Sequence, residues 1–133
     1  MKTNRLFRSF ILVLLIAALA VSMLACSGEG STTTEKRDPV TFTFEVYLKD
    51  GTLKSTHDIT TTEATVGAAL LKEGLIEGDE GQFGLYVKVV DGVTADYDVD
   101  GTYWAFYVGE TYAPTGVDAT AAEDGKTYSF RIE

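Results

Sequence analysis

Asp96, Asp98 and Asp100 stand at alternate positions and are followed by Gly101, which is the spacing of a calcium-binding loop. Alternate carboxylates supply hard oxygen ligands, and the glycine permits the sharp turn that wraps them around the ion. The helix–loop–helix form also needs a glutamate at the twelfth position. Here that position is Tyr107, inside a strand-like run, and no helical pattern follows. That form is excluded, which leaves either a Ca2+ loop of another kind on Asp96, Asp98 and Asp100 or a solvated acidic turn. Other reactive side chains are sparse. His57 is the only histidine, so a two-histidine zinc site is impossible. With Asp58 pointing to the opposite side of the same strand-like run, His57 reads as a half-buried strand residue rather than a base. No serine has a visible catalytic partner, and no glycine-rich phosphate loop exists. The chain is expected not to be an enzyme.

The remaining reactive residue is Cys26, the only cysteine. It rules out an internal disulfide. Ahead of it stand Lys2, Arg5 and Arg8, then an apolar run from Phe10 to Ala25 broken only by Ser22, then Met23-Leu24-Ala25-Cys26-Ser27-Gly28. A basic start, an apolar stretch and a small residue before the cut compose a secretion signal. A cysteine just after that small residue makes it a lipoprotein signal, with Cys26 as the lipid (palmitate-type) attachment site. Each buried methylene of an acyl chain contributes about 0.8 kcal/mol, so two or three chains hold a protein on a membrane. Met23 stands where leucine is usual and Leu24 where a small residue is frequent, so an uncleaved anchor and plain secretion stay open. The apolar run is shorter than the ~20 residues that span a bilayer. The expected location is the extracytoplasmic face of the cell membrane.

The whole chain carries 11 Lys+Arg and 20 Asp+Glu, a net charge of −9. Cleavage before Cys26 removes Lys2, Arg5 and Arg8 and takes the balance to about −12. Such a surface repels nucleic acid and anionic headgroups, so no nucleic-acid role is expected. The mature length suits one domain.

These residues must be positioned by a small set of elements. Ser27 to Asp38 holds no apolar residue and reads as a tether. The expected division is a signal peptide over 1–25, a flexible tether over 26–39 and one domain over 40–133. Val40 to Leu48 alternates, with Phe42, Phe44, Val46 and Leu48 on one side and Thr41, Thr43, Glu45 and Tyr47 on the other, which predicts a half-buried strand. Asp50-Gly51 predicts a hairpin into a second strand, Leu53 to Thr60. Thr60-Thr61-Thr62-Glu63 resembles a capping box, Val66, Ala69 and Leu70 fall at helical spacing, and Gly74 is a natural stop. Glu77 to Gly84 reads as an acidic loop, Leu85 to Val90 as a third strand turned by Asp91-Gly92, and Asp96 to Gly101 as a second acidic loop. Tyr103 to Val108 forms a fourth strand, Tyr112 to Gly125 is irregular, and Tyr128, Phe130 and Ile132 alternate in a last one. The expected fold class is α+β and β-grasp-like: one short helix packed on a mixed four- to five-stranded sheet.

If the phenylalanines, Leu85, Val87 and Trp104 face the helix, parity places Tyr47, Tyr86, Tyr103 and Tyr107 together on the open face of that sheet. Such a platform suits a ligand or partner, although tyrosine favours strands for structural reasons as well. Tyr97 and Tyr112 flank the fourth strand in loops. The candidate ligand contacts are Tyr97, Tyr103, Tyr107 and Tyr112.

Thr65-Val66-Gly67-Ala68-Ala69-Leu70, Gly101-Thr102-Tyr103-Trp104-Ala105-Phe106-Tyr107-Val108-Gly109-Glu110, Pro114-Thr115-Gly116-Val117-Asp118 and Asp124-Gly125-Lys126-Thr127-Tyr128-Ser129-Phe130 together resemble a family of bacterial surface lipoproteins. Their domain is similar to the C-terminal β-domain of transcobalamin and intrinsic factor, and the resemblance spans Val40 to Glu133. It implies a β-grasp ligand-binding domain with no resident cofactor, a corrinoid such as cobalamin as leading ligand, and delivery to a transporter or other envelope protein. In the vitamin carriers a helical-barrel domain supplies the other wall of the site, and this chain lacks it. A protein-interaction or structural module of the cell envelope is the alternative.

Overall fold

The computed structural model describes residues 36–133. The expected signal peptide, Cys26 and the first part of the expected tether lie outside the described residues.

Strict alternation shapes the centre of the molecule. Strand β1 (Val40–Tyr47) turns through Gly51 into β2 (Leu53–Thr61). Gly51 carries φ +80°, and the Asp50 carboxylate accepts from the Thr52 amide, so both turn residues act as the Asp-Gly pair predicts. Strand β8 (Thr127–Ile132) lies parallel to β1 on its other side and antiparallel to β6 (Trp104–Val108), which pairs with β7 (Thr111–Tyr112). The result is a mixed five-stranded sheet in the order β2-β1-β8-β6-β7. One helix, α1 (Val66–Lys72), buries Val66, Ala69 and Leu70 in the same core cluster as Phe42, Phe44, Val46, Trp104, Phe106 and Phe130. Edge-to-face rings join the neighbouring strands β1 and β8, with Phe42 on Tyr128 at 5.2 Å and Phe44 on Phe130 at 6.2 Å between centroids. The fold class is α+β, as expected.

Four details differ from the expectation. The stretch Leu85–Val90 does not join the main sheet. It is the middle of a separate three-stranded sheet formed by β3 (Ile76–Gly81), β4 (Gly84–Val90) and β5 (Val93–Thr94). The expected acidic loop over Glu77–Gly84 is therefore largely strand β3. It is an edge strand whose acidic side chains stay in solvent, so its composition hides its pairing. Helix α1 starts later than the capping box predicts. Thr60 and Thr61 end β2, and Thr65 is the N-cap, accepting from the Ala68 amide at 3.2 Å. Glu63 instead receives Lys72 at 3.0 Å. Finally, Tyr97–Asp100 forms a four-residue helix, α2, rather than a loop. The helix stop is as predicted: Gly74 has φ +70° and bonds to the Leu71 carbonyl, while the Leu75 amide bonds to that of Leu70.

Candidate functional site

The two sheets meet at Trp104. Its indole N–H points across the gap and donates to the carbonyls of Lys88 and Val93, both at 3.2 Å. The ring is nearly buried, and below it run Phe106 and Phe130, whose centroids are 5.1 Å apart. These three rings form the floor of a groove of about 290 Å3. Leu85, Tyr86 and Val87 of β4 form one wall, and the segment from Tyr112 to Val117 forms the other. None of the lining side chains is charged, which stands out in a chain of net charge −9. Aromatic and aliphatic lining with a few polar groups at the rim is what small-molecule sites require. Tyr86 and Tyr112 are both solvent-accessible residues of these walls.

The second wall is irregular but pinned. The Ala113 amide bonds to the Phe106 carbonyl at 2.9 Å. Val117 is buried and opens a single 3-10 turn, Val117–Ala119. The Val66 amide bonds to the Thr120 carbonyl and the Ala122 amide to that of Ala64, which ties the segment to the start of α1. A groove with such walls is preformed, so a ligand need not order it on binding.

The tyrosine platform expected from parity is only partly assembled. Tyr47, Tyr103 and Tyr107 do share the outer face of the five-stranded sheet, but Tyr86 belongs to the other sheet. The outer-face tyrosines are also occupied. The Tyr103 and Tyr107 hydroxyls donate to the Glu133 carboxylate. The Arg131 guanidinium lies 4.8 Å from the Tyr47 centroid and 4.4 Å from that of Tyr107, between the two rings. Tyr112 meets Tyr107 edge to face at 5.4 Å. The Glu133 charge holds the Tyr103 hydroxyl above the ordinary tyrosine range, and the hydrogen bond to Glu133 does the same for Tyr107. Paired hydroxyls and a sandwiched cation describe a stabilising cross-strand cluster.

Of the four candidate contacts, Tyr112 alone lines the groove. Tyr103 and Tyr107 sit behind its floor on the opposite face, and Tyr97 is an exposed residue of α2. Asp96, Asp98 and Asp100 lie at the start and within the short helix α2. Asp96 caps α2, accepting from the Asp98 amide at 3.1 Å, and faces Lys88 at 3.4 Å. Asp100 accepts from both the hydroxyl and the amide of Thr102, and these bonds hold its carboxyl below the usual range. The Asp96 and Asp100 carboxylates are thus engaged by separate local partners. Among the described residues no group of three His, Cys, Asp or Glu side chains is arranged to hold a metal.

The groove residues the sequence left unassigned are those of the Pro114–Val117 segment, while Tyr86 was placed on the tyrosine platform instead. Trp104, Phe106 and Phe130 were assigned to the core alone. The one available signal was the Pro114-Thr115-Gly116-Val117-Asp118 run within the resemblance, which marks the wall but not what it encloses.

No protein-family model matches the chain, and no curated protein matches it. Solved structures do. A protein of Ruminococcus gnavus ATCC 29149, described as a supposed metal-binding protein, superposes with a TM-score of 0.66 at 28% identity, over 71% of this chain and 96% of that one. Haptocorrin in complex with Cbi superposes with a TM-score of 0.58 at 17% identity, over 73% of this chain. The fold is shared with part of haptocorrin. The match takes in only 25% of the haptocorrin chain, so the likeness is to one part of that protein.

Proposed function

We propose that this chain is a membrane-anchored, non-catalytic binding module, and that its groove between the two sheets grips an uncharged part of a small ligand. A corrinoid is the leading candidate. The observation that carries the reading is the groove itself: an aromatic floor with no charged lining, on a fold shared with haptocorrin. A volume of about 290 Å3 lies at the lower limit for drug-sized ligands. It takes one limb or edge of a corrinoid and leaves the rest open, so a partner chain or transporter would supply the second wall. The anchor is Cys26, which would hold the domain on the extracytoplasmic face through the tether over 26–39.

The test is calorimetric titration of the full chain in detergent with cobalamin and with cobinamide. Saturable heat that Tyr112→Ala weakens and Tyr103→Phe/Tyr107→Phe leaves intact supports the reading. No heat at high micromolar ligand defeats it.

Phe83 favours a second reading. It lies at the β3–β4 turn beside the groove wall with 92% of its surface exposed. A large apolar side chain held in water at a turn suits a protein partner in the envelope. If an envelope protein is captured by the wild type and lost with Phe83→Ser, while neither corrinoid binds, the module docks protein instead.

A further inference from the structure

The two groove walls come from different sheets and different parts of the chain, and one side chain joins them. Asp118 sits in the 3-10 turn at the end of the irregular wall, and its Oδ2 accepts from the Leu85 amide at 3.1 Å, at the first groove residue of β4. Among the described residues this is the one hydrogen bond between the Tyr112–Thr120 segment and β4. The space around Asp118 is kept clear by glycines from three segments. A Cβ on Gly84 would stand 2.5 Å from Oδ2, one on Gly116 would stand 2.9 Å from Oδ1, and one on Gly67 of α1 would stand 2.8 Å from the Asp118 Cα. No side chain fits at any of the three without displacing Asp118 or its backbone. Gly84 also carries φ +101°, which only glycine adopts without strain. A hydrogen bond contributes about 1 kcal/mol net, and over a seat that admits no other side chain it holds the two segments in register.

We propose that Asp118 is the positioning residue that sets the width of the groove, by clamping the start of β4 to the loop wall over a glycine-lined seat. It touches no ligand. It acts through Leu85 and Tyr86 on one side and Thr115 to Val117 on the other. The inference rests on the groove being the binding site, but its structural half can be read without any ligand. Trp104 is the only tryptophan in the chain and lies in the groove floor, so its fluorescence reports how far the walls stand apart.

The experiment uses the full chain in detergent. Asp118→Ala removes the acceptor, while Asp118→Asn keeps an amide oxygen in the same place. With Asp118→Ala, acrylamide quenching of Trp104 is expected to rise about twofold. The affinity for cobinamide is expected to fall about tenfold, the equivalent of ~1.4 kcal/mol. Asp118→Asn should recover most of both effects. Quenching unchanged in Asp118→Ala overturns the proposal, and so does equal loss in both variants, because the asparagine retains the acceptor. If Asp118→Ala does not fold, amide hydrogen exchange in the unmutated chain decides: Leu85 must be protected, and exchange at the rate of an open amide overturns the clamp. Should the wild type bind no corrinoid, the ligand reading fails, while the quenching contrast still settles the role of Asp118.

Discussion

Replacing Trp104 with phenylalanine tests whether one side chain couples the two sheets. The change deletes the N–H that reaches Lys88 and Val93. The Lys88 carbonyl keeps a second donor, the Ala95 amide at 2.9 Å, so it is not stranded. The loss is then the net value of a hydrogen bond, about 1 kcal/mol. The indole also exceeds the phenyl ring by roughly 40 Å3, and at about 24 cal/mol per Å3 of cavity this adds about 1 kcal/mol. The expected destabilisation is about 2 kcal/mol, and for a domain of this size that lowers Tm by roughly 8–16 °C. Thermal unfolding followed by far-ultraviolet circular dichroism measures it, since the variant has no tryptophan to report. Tyr103→Phe is the control: its exposed hydroxyl bond to Glu133 is long, at 3.4 Å, and its loss should cost no more than about 0.5 kcal/mol. A Trp104→Phe shift below about 3 °C would refute the coupling.

Further consequences are open to direct measurement. Gly78→Ala places a Cβ against the Tyr86 carbonyl oxygen at the β3 bulge, and the overpacking should cost about 1–3 kcal/mol in denaturant melts. Asp91 is held below the ordinary carboxylate range first by Lys54 at 2.7 Å and then by the Ser55 hydroxyl at 2.6 Å. Its folded-state value is depressed, so its stabilisation is complete above about pH 4 and fades as the pH falls through the folded value. Asp91→Asn keeps a residue that tolerates φ +46°, and its Tm should therefore fall less than the wild type's between about pH 5 and pH 3. Cys26→Ser should abolish incorporation of radiolabelled palmitate; labelling that persists in this variant removes the anchor at that residue.

What the sequence made legible follows from where the information lies. Strands β1 and β8 alternate strictly because each has one face on the core, and both were readable to within a residue or two. The turns at Asp50-Gly51 and Asp91-Gly92 were readable because their chemistry is local: Asp91 and Gly92 carry φ +46° and +77° and close a two-residue hairpin between Val90 and Val93. Strand β3 was not, since five of its six residues face solvent and its pairing depends on β4 rather than on its own composition. Parity assigns a face but not a sheet, which is why Tyr86 was grouped with Tyr103 and Tyr107. The helix start was misplaced because Thr60-Thr61-Thr62-Glu63 and Thr65 both offer capping chemistry, and the pairing of β2 with β1 decides between them. The groove was illegible for a different reason: β4, β6, β8 and the Pro114–Val117 segment are brought together only by the tertiary fold, and no local pattern marks that meeting.

Strand β8 supplies the last regular residues of the chain, yet it sits at the middle of the five-stranded sheet, between β1 and β6. Without it, β1 and β6 have no common neighbour, and Phe42, Phe44 and Trp104 lack the partners Tyr128 and Phe130. Contacts between such distant stretches form slowly, so closing the sheet through β8 is the step expected to set the folding rate of the domain.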